Sequence, residues 1–166
     1  MKMMMLSLLL LSPFNLFAED PSAKLVPLKK ELMKNLQGKL KTEGPVKALE
    51  FCHLNAQKIT AANQQGIEIG RTSHRLRNAK NAPRDWVKPY LSEFVSGKRK
   101  EAIAVTLKNG KRGYLEPIRI SKGACLICHG NSLSKPLQSE LKKRYPQDQA
   151  TGFKMNDFRG LFWMEY

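Results

Sequence analysis

Residues 101–120 read EAIAVTLKNGKRGYLEPIRI, and this stretch decides the fold class. Its first part, residues 101–107, alternates weakly between apolar and polar side chains, and residues 111–120 return after a short interruption. Asn109-Gly110 lies between them and is the strongest hairpin signal in the chain, because both residues readily adopt the positive φ angles of a two-residue turn. The stretch therefore predicts two antiparallel strands.

The flanking sequence predicts helices and one further strand. Pro27 occupies a first helical position and opens an amphipathic pattern, which Gly44-Pro45 interrupts before a second helix over residues 46–63. The polar, basic, glycine-punctuated segment 63–83 is expected to be a long loop or an extended excursion. The other predicted elements are helices at residues 86–95 and 136–144 and a closing strand at residues 160–166. This order predicts an α+β domain, with an antiparallel sheet and the helices packed on one side.

Beyond the hairpin, Cys125-Leu126-Ile127-Cys128-His129 forms a C-x-x-C-H motif. This spacing is typical of c-type haem attachment, because two such thiols can form thioethers with the two vinyl groups of one porphyrin while the histidine binds the iron. A redox dithiol, a structural disulfide and half of a zinc site are the alternatives. Zinc would need more soft ligands, and only Cys52, His53 and His74 remain. The motif predicts one covalently bound haem c, attached at Cys125 and Cys128 and ligated by His129.

The N-terminus has the pattern of a secretory signal. Met1-Lys2 is followed by residues 3–11, in which Ser7 is the only polar side chain, and Ala18 ends the pattern. Cleavage after residue 18 would leave 148 of the 166 residues, enough for one domain. Leu16 stands where a small residue is preferred, so an uncleaved anchor is the alternative. The signal predicts the periplasm, the compartment where bacteria attach haem covalently.

The chain is strongly basic, with 29 Lys and Arg against 14 Asp and Glu and a formal net charge of +15. Such a surface could suit nucleic acid, but an exported protein rarely meets it, so no nucleic-acid partner is expected. An acidic redox or signalling protein and an anionic membrane surface are the expected partners, and a merely solvated surface is the alternative.

Cys52 is the third cysteine, and in an oxidising compartment it needs a reason to exist. Ala48, Leu49, Cys52, Ala56 and Ile59 share the apolar face of the second helix. A small buried hydrophobe and a thiolate ligand of iron both fit that position. His74 is the other candidate ligand. The methionines Met33, Met155 and Met164 are expected to pack rather than to bind iron.

Several motifs in this order resemble a family of periplasmic c-type haem domains with a PAS-like fold, long catalogued as a domain of unknown function. The motifs are residues 48–52 (ALEFC), Gly70-Arg71-Thr72-Ser73 with Arg77-Asn78 and Asn81-Ala82-Pro83, Cys125-Leu126-Ile127-Cys128-His129-Gly130, and Tyr145-Pro146-x-Asp148-x-Ala150-x-Gly152-Phe153 followed by Asp157-x-Arg159-Gly160. The resemblance covers residues 45–166, which leaves residues 1–18 as a signal peptide and residues 19–44 as an N-terminal helical segment.

The resemblance implies a five-stranded antiparallel sheet and one haem, with His129 as one axial ligand and Cys52 as the other. Arg71 and Arg77 are candidates to pair with the haem propionates. Asp157 and Arg159 are expected to fix the last strand rather than to touch haem.

A histidine and a thiolate would fill both axial positions, which leaves no vacant position for substrate and argues against an enzyme. Thiolate favours ferric iron and a low reduction potential. The sequence therefore predicts a redox-sensing or gas-sensing haem module, and a soluble electron carrier is the alternative.

Overall fold

The computed structural model describes residues 20–64 and 66–166, so the predicted signal peptide lies outside the described residues. The elements, in chain order, are helix α1 (Ser22–Ala62), strand β1 (Glu68–Thr72), a 3-10 turn (Ala79–Asn81), α2 (Lys88–Val95), β2 (Ile103–Thr106), β3 (Arg112–Arg119), α3 (Gly123–His129), α4 (Lys135–Arg144) and β4 (Phe158–Glu165). Within these residues, none of the helices combines the length and hydrophobicity that a membrane span requires.

Helix α1 is a hairpin of two arms. Gly44 has φ +79° and ψ 178°, outside the helical region, so it separates a first arm (residues 22–43) from a second arm (residues 45–62). The arms are antiparallel, because Asn63 donates to Glu31 at 2.8 Å and the ammonium of Lys39 lies 5.8 Å from the ring centre of Phe51. The predicted break at Gly44-Pro45 is confirmed.

The four strands form one antiparallel sheet in the order β1-β4-β3-β2. The predicted hairpin is the β2–β3 pair and the predicted closing strand is β4, so the α+β class is confirmed. Residues 63–83, expected to be a long loop or an extended excursion, contain the extended strand β1 and the 3-10 turn. The expected number of strands is wrong: the described residues form four strands rather than five, because a loop, the 3-10 turn and α2 occupy residues 73–102.

The sheet is covered on both faces. On one face, the arms of α1 bury Leu25, Leu28 and Ile59 against Tyr114 and Met164. On the other face, α2 and the residue before it pack against the central strands, in a cluster formed by Val87, Leu91, Phe94, Leu115, Leu161 and Trp163. The N-terminal helices lie on one side as predicted, whereas α2 covers the opposite side. Burial of Met164 agrees with its expected packing role.

Candidate cofactor site

A cavity of about 490 Å³ opens between the arms of α1, the α1-facing side of the sheet and α3. Its volume lies within the roughly 300–1,000 Å³ typical of small-molecule and cofactor sites. All six residues predicted for the site line this cavity: Cys52, Arg71, Arg77, Cys125, Cys128 and His129. Residues that are far apart in the sequence therefore meet at one place.

The two cysteines of the motif lie on α3, a short helix that begins three residues after Ile120 and ends at His129. Their spacing of three places Cys125 and Cys128 on one face of this helix. Strand β3, which precedes the helix, pairs only antiparallel, so the motif does not lie in a thioredoxin-like βαβ unit. No group of three His, Cys, Asp or Glu side chains in the described part of the chain could hold a metal ion, so the geometry does not support the zinc alternative.

The ring of His129 is held in one tautomer. Its Nδ1 lies 2.6 Å from the carbonyl oxygen of Ala150, and because a carbonyl can only accept, Nδ1 carries the proton. Burial first, and then the nearby charges of Arg77 and Arg159, lower the pKa of His129 to about 3. The ring is therefore neutral at ordinary pH, and its Nε2 keeps a free lone pair, as a metal-binding imidazole requires.

The segment from Tyr145 to Phe153 holds the end of α3 in place. The amide of Phe153 donates to the carbonyl of His129 at 2.8 Å, and the amide of Gly152 donates to the carbonyl of Gly130 at 2.9 Å. Asp148 fixes this segment by accepting from the amide of Ala150 at 2.8 Å. These contacts explain why the segment accompanies the C-x-x-C-H motif.

Arg77 connects this segment to α3. Its Nε donates to Asp148 at 3.1 Å, and its Nη2 donates to the carbonyls of Cys128 at 2.6 Å and Ala150 at 3.1 Å. Both side chains of the ion pair are about nine-tenths buried. Arg77 thus satisfies a carbonyl at the C-terminal end of α3, and only its Nη1 takes no part in these bonds.

Arg71 and Arg159 are held differently, because each has a buried Nε without an acceptor among the described residues. The hydroxyl of Thr72, which also lines the cavity, is likewise buried and has no hydrogen-bond partner among the described residues. Burial lowers the pKa of Arg71 and lowers that of Arg159 to about 10. Both side chains are partly buried, and each donates through one Nη to a backbone carbonyl, Arg71 to Ala56 at 3.3 Å and Arg159 to Arg75 at 3.2 Å. Neither has an acidic partner among the described residues, so an anion in the cavity would be stabilised by both guanidinium groups.

The other charged groups do not supply that anion. Glu116 lines the cavity but accepts from Lys29 through both oxygens, at 2.8 and 3.0 Å, and Asp148 is paired with Arg77. The cavity therefore carries two partly buried positive charges that lack an acidic partner among the described residues. A ligand that bears two carboxylates matches this requirement.

The two candidates for a second axial ligand lie in different places. Cys52, on the second arm of α1, lines the cavity, whereas His74 is exposed and stacks on Phe158 with ring centres 5.6 Å apart. Burial raises the pKa of the Cys52 thiol, and Arg71 and Arg77 oppose that shift. The geometry brings Cys52 to the cavity and leaves His74 outside it.

The sequence model of the family described as Tll0287-like matches residues 18–165. The chain belongs to the Tll0287-like family. Among solved structures, the crystal structure of the cyanobacterial heme-protein Tll0287 is similar to this one, with a TM-score of 0.61 and 24% sequence identity over 87% of this chain and 93% of that chain. At this identity the likeness concerns the fold. No curated protein matches the chain.

Sequence reasoning about this Tll0287-like chain missed the guanidinium of Arg159. Its backbone does fix the last strand, since the hydroxyl of Ser73 donates to its carbonyl at 2.6 Å, but its side chain lines the cavity. Opposite β3, Ile118 pairs with Gly160 and Arg119 pairs with Phe158, so Arg159 is the extra residue of a β-bulge. A bulge turns a side chain away from the strand's regular alternation, which no sequence pattern reveals.

Met33 is a second correction. Its place on an apolar helical face suggested core packing, but it is 40% exposed and borders the cavity. The physical reason is that Leu32, Leu36 and Leu40 on the first arm line the cavity as well, so this face covers a space rather than a packed core.

Proposed function

We propose that this chain is an exported mono-haem c-type cytochrome. In this proposal Cys125 and Cys128 each form a thioether with the haem, and the Nε2 of His129 binds its iron. One observation carries the proposal: the motif, the Cys52 thiol and two guanidinium groups with an unsatisfied buried Nε converge on one cavity of cofactor size. The similar solved structure is that of a heme-protein, which supports the same assignment.

The charge of the cavity fits this cofactor. Haem carries two propionate carboxylates, and the cavity presents two partly buried guanidinium groups, Arg71 and Arg159, that lack an acidic partner among the described residues. Charge-assisted bonds from guanidinium to carboxylate are strong and often bidentate, so these two residues would hold the propionates. Arg77, which is engaged by Asp148, would mainly position the motif and could reach a propionate only through Nη1.

We assign the second axial position to Cys52. A bound haem supplies one-electron redox chemistry at its iron. Because burial raises the pKa of the Cys52 thiol, the thiolate is disfavoured in this cavity unless a metal binds it. His74 remains the alternative ligand, although it would have to move from its stacked position on Phe158.

A sensing role follows from the same property of Cys52. Once released from iron, the sulfur would take up a proton readily and remain in the cavity as a neutral thiol, which vacates a coordination position for a small gas. We therefore propose redox or gas sensing rather than enzymatic catalysis, since both axial positions belong to the protein in the resting state. The expected partner is a redox or signalling protein in the periplasm.

A soluble electron carrier is the second candidate, and the net charge of +15 favours it, because a basic surface attracts an acidic redox partner. The two functions differ in what reduction does to Cys52. A carrier should keep its ligands in both oxidation states, whereas a sensor should exchange one.

Absorption spectra of the purified holoprotein test the ligand and the function together. In the ferric protein, Cys52→Ala should remove the sulfur-to-iron signature and raise the reduction potential, because the anionic donor is gone. The matched control His74→Ala should change neither. Unchanged spectra in Cys52→Ala would show that Cys52 is not a ligand.

Reduction of the unmodified holoprotein under carbon monoxide then distinguishes the two roles. Gas binding only after reduction, with a change in protein conformation, is the result expected of a sensor. Reversible reduction without gas binding would favour the carrier.

A further inference from the structure

The outward side of the first arm of α1 carries a row of basic side chains. Lys30, Lys34, Gln37 and Lys41 are spaced by four, three and four residues, which places them on one face of the helix. They border a shallow groove together with Met33 and Gly38, and all of these residues are exposed. We call Lys30, Lys34 and Lys41 the lysine row.

The charges of the lysine row point away from the protein. Two neighbouring lysines are paired, Lys29 with Glu116 at 2.8 Å and Lys39 with Glu43 at 2.5 Å. In the part of the chain that the structure describes, no carboxylate lies within 4 Å of the ammonium groups of Lys30, Lys34 or Lys41. Glu31, which lies among them in sequence, accepts from Asn63 on the second arm. The row itself therefore holds three cations and no acid, and the exposed carboxylates of Glu31 and Glu43 beside it are engaged by Asn63 and Lys39.

Apolar side chains accompany the row. Val26, which is four residues before Lys30, is 48% exposed, and Met33 is 40% exposed. A helix that exposes lysines together with apolar side chains suits the surface of a bilayer, where the ammonium groups meet lipid phosphates and the apolar groups enter the interface.

We propose that this face of the first arm docks on an anionic lipid bilayer. Lysine is a compact charge on a flexible stem and needs no fixed partner geometry, so a fluid anionic surface suits the row better than a shaped protein site. Because Leu32, Leu36 and Leu40 of the same arm line the cofactor cavity, docking would place that cavity about one helix diameter, roughly 10 Å, from the lipid.

Vesicle partitioning of the exported, haem-loaded protein tests this inference. The vesicles are phosphatidylcholine alone or an equal mixture with phosphatidylglycerol. Each lysine near an anionic surface strengthens binding about fivefold, so Lys30→Gln/Lys34→Gln/Lys41→Gln should weaken partitioning to the anionic vesicles about 100-fold. Binding of the unmodified protein should also fall steeply with salt.

The control removes the same charge elsewhere. Lys135, Lys142 and Lys143 are exposed on α4, so Lys135→Gln/Lys142→Gln/Lys143→Gln carries an equal change of net charge and should lose less than about fivefold. Equal losses in the two variants, or no binding to anionic vesicles, would overturn the proposal. Equal binding to neutral and anionic vesicles would mean that apolar side chains, not the lysine row, hold the protein on the bilayer. Binding to polyglutamate that depends on the lysine row, without vesicle binding, would mean that the partner is an acidic protein. Either result contradicts docking on anionic lipid.

Discussion

Arg77 and Arg159 line the same cavity but are held in different ways. Arg77 has three protein acceptors on Asp148, Cys128 and Ala150, whereas Arg159 has a buried Nε without one and donates only from Nη1, to the carbonyl of Arg75 at 3.2 Å. The first arginine therefore stabilises the fold, and the second is placed for a ligand.

This difference predicts opposite dependence on haem. In haem-free protein, made by replacing Cys125 and Cys128 with serine, Arg77→Met should lower the free energy of unfolding by about 3–5 kcal/mol, because it leaves the Asp148 carboxylate buried and unpaired. Arg159→Met should cost less than about 1 kcal/mol there, since an apolar side chain replaces a partly buried cation that has one backbone acceptor and no acidic partner among the described residues. Urea unfolding measures both changes.

In the holoprotein, Arg159→Met should become destabilising, because a propionate then loses its cation. Equal costs of Arg159→Met with and without haem would contradict its assignment to the cofactor.

Sequence reasoning reached some of these residues and not others. Cys52 could be identified from the sequence, because an unpaired thiol on an apolar helix face needs an explanation in an oxidising compartment. Arg159 could not be identified in this way, because the direction of its side chain depends on a bulge between strands that are distant in sequence. The hydrogen-bond acceptors of Arg77 could not be predicted from the sequence either, since Asp148 lies 71 residues away and the other two acceptors are backbone carbonyls.

At the scale of the elements, the break in α1 depends on one glycine. Gly44 has φ +79° and ψ 178°, a region that residues with a Cβ avoid. Gly38 lies within the first arm, has no positive φ, and a Cβ there would have no other atom within 4 Å. The two glycines therefore form a matched pair.

Gly44→Ala should lower the free energy of unfolding by about 1–3 kcal/mol, because alanine would be strained at the break. Gly38→Ala should raise it by about 0.5–1 kcal/mol, because alanine favours a helix interior. Chemical denaturation of the holoprotein measures both. Stabilisation by Gly44→Ala would mean that the two arms form one straight helix.

Strand β1 shows why one element escaped prediction. Its sequence, EIGRT, contains a glycine and two charged residues and lacks the alternation that marks a half-buried strand. Gly70 is nonetheless required, because a Cβ there would lie 2.2 Å from the indole of Trp163. Only pairing with β4, almost a hundred residues later, makes this segment a strand.

At the scale of the whole molecule, the cavity depends on how the layers assemble. The hairpin and the helices were predictable because their signals are local: Asn109-Gly110, Gly44-Pro45 and helical spacing. The sequence did not predict that both sheet faces are covered or that Met33 is exposed. Both features depend on which surfaces meet after the elements form.

Covalent retention of haem tests the central claim most directly. The protein is expressed with its own N-terminus in a bacterium that attaches haem c, purified from the periplasm and extracted with acid acetone. All of the haem should remain with the polypeptide, whose denatured mass should equal that of the exported polypeptide, without residues 1–18, plus one haem, because two thioethers hold it. Cys125→Ser/Cys128→Ser should lose this retention, while His129→Ala should keep it and change the iron ligands. Haem that passes freely into the acetone from the unmodified protein, with a polypeptide of unmodified mass, would contradict the account.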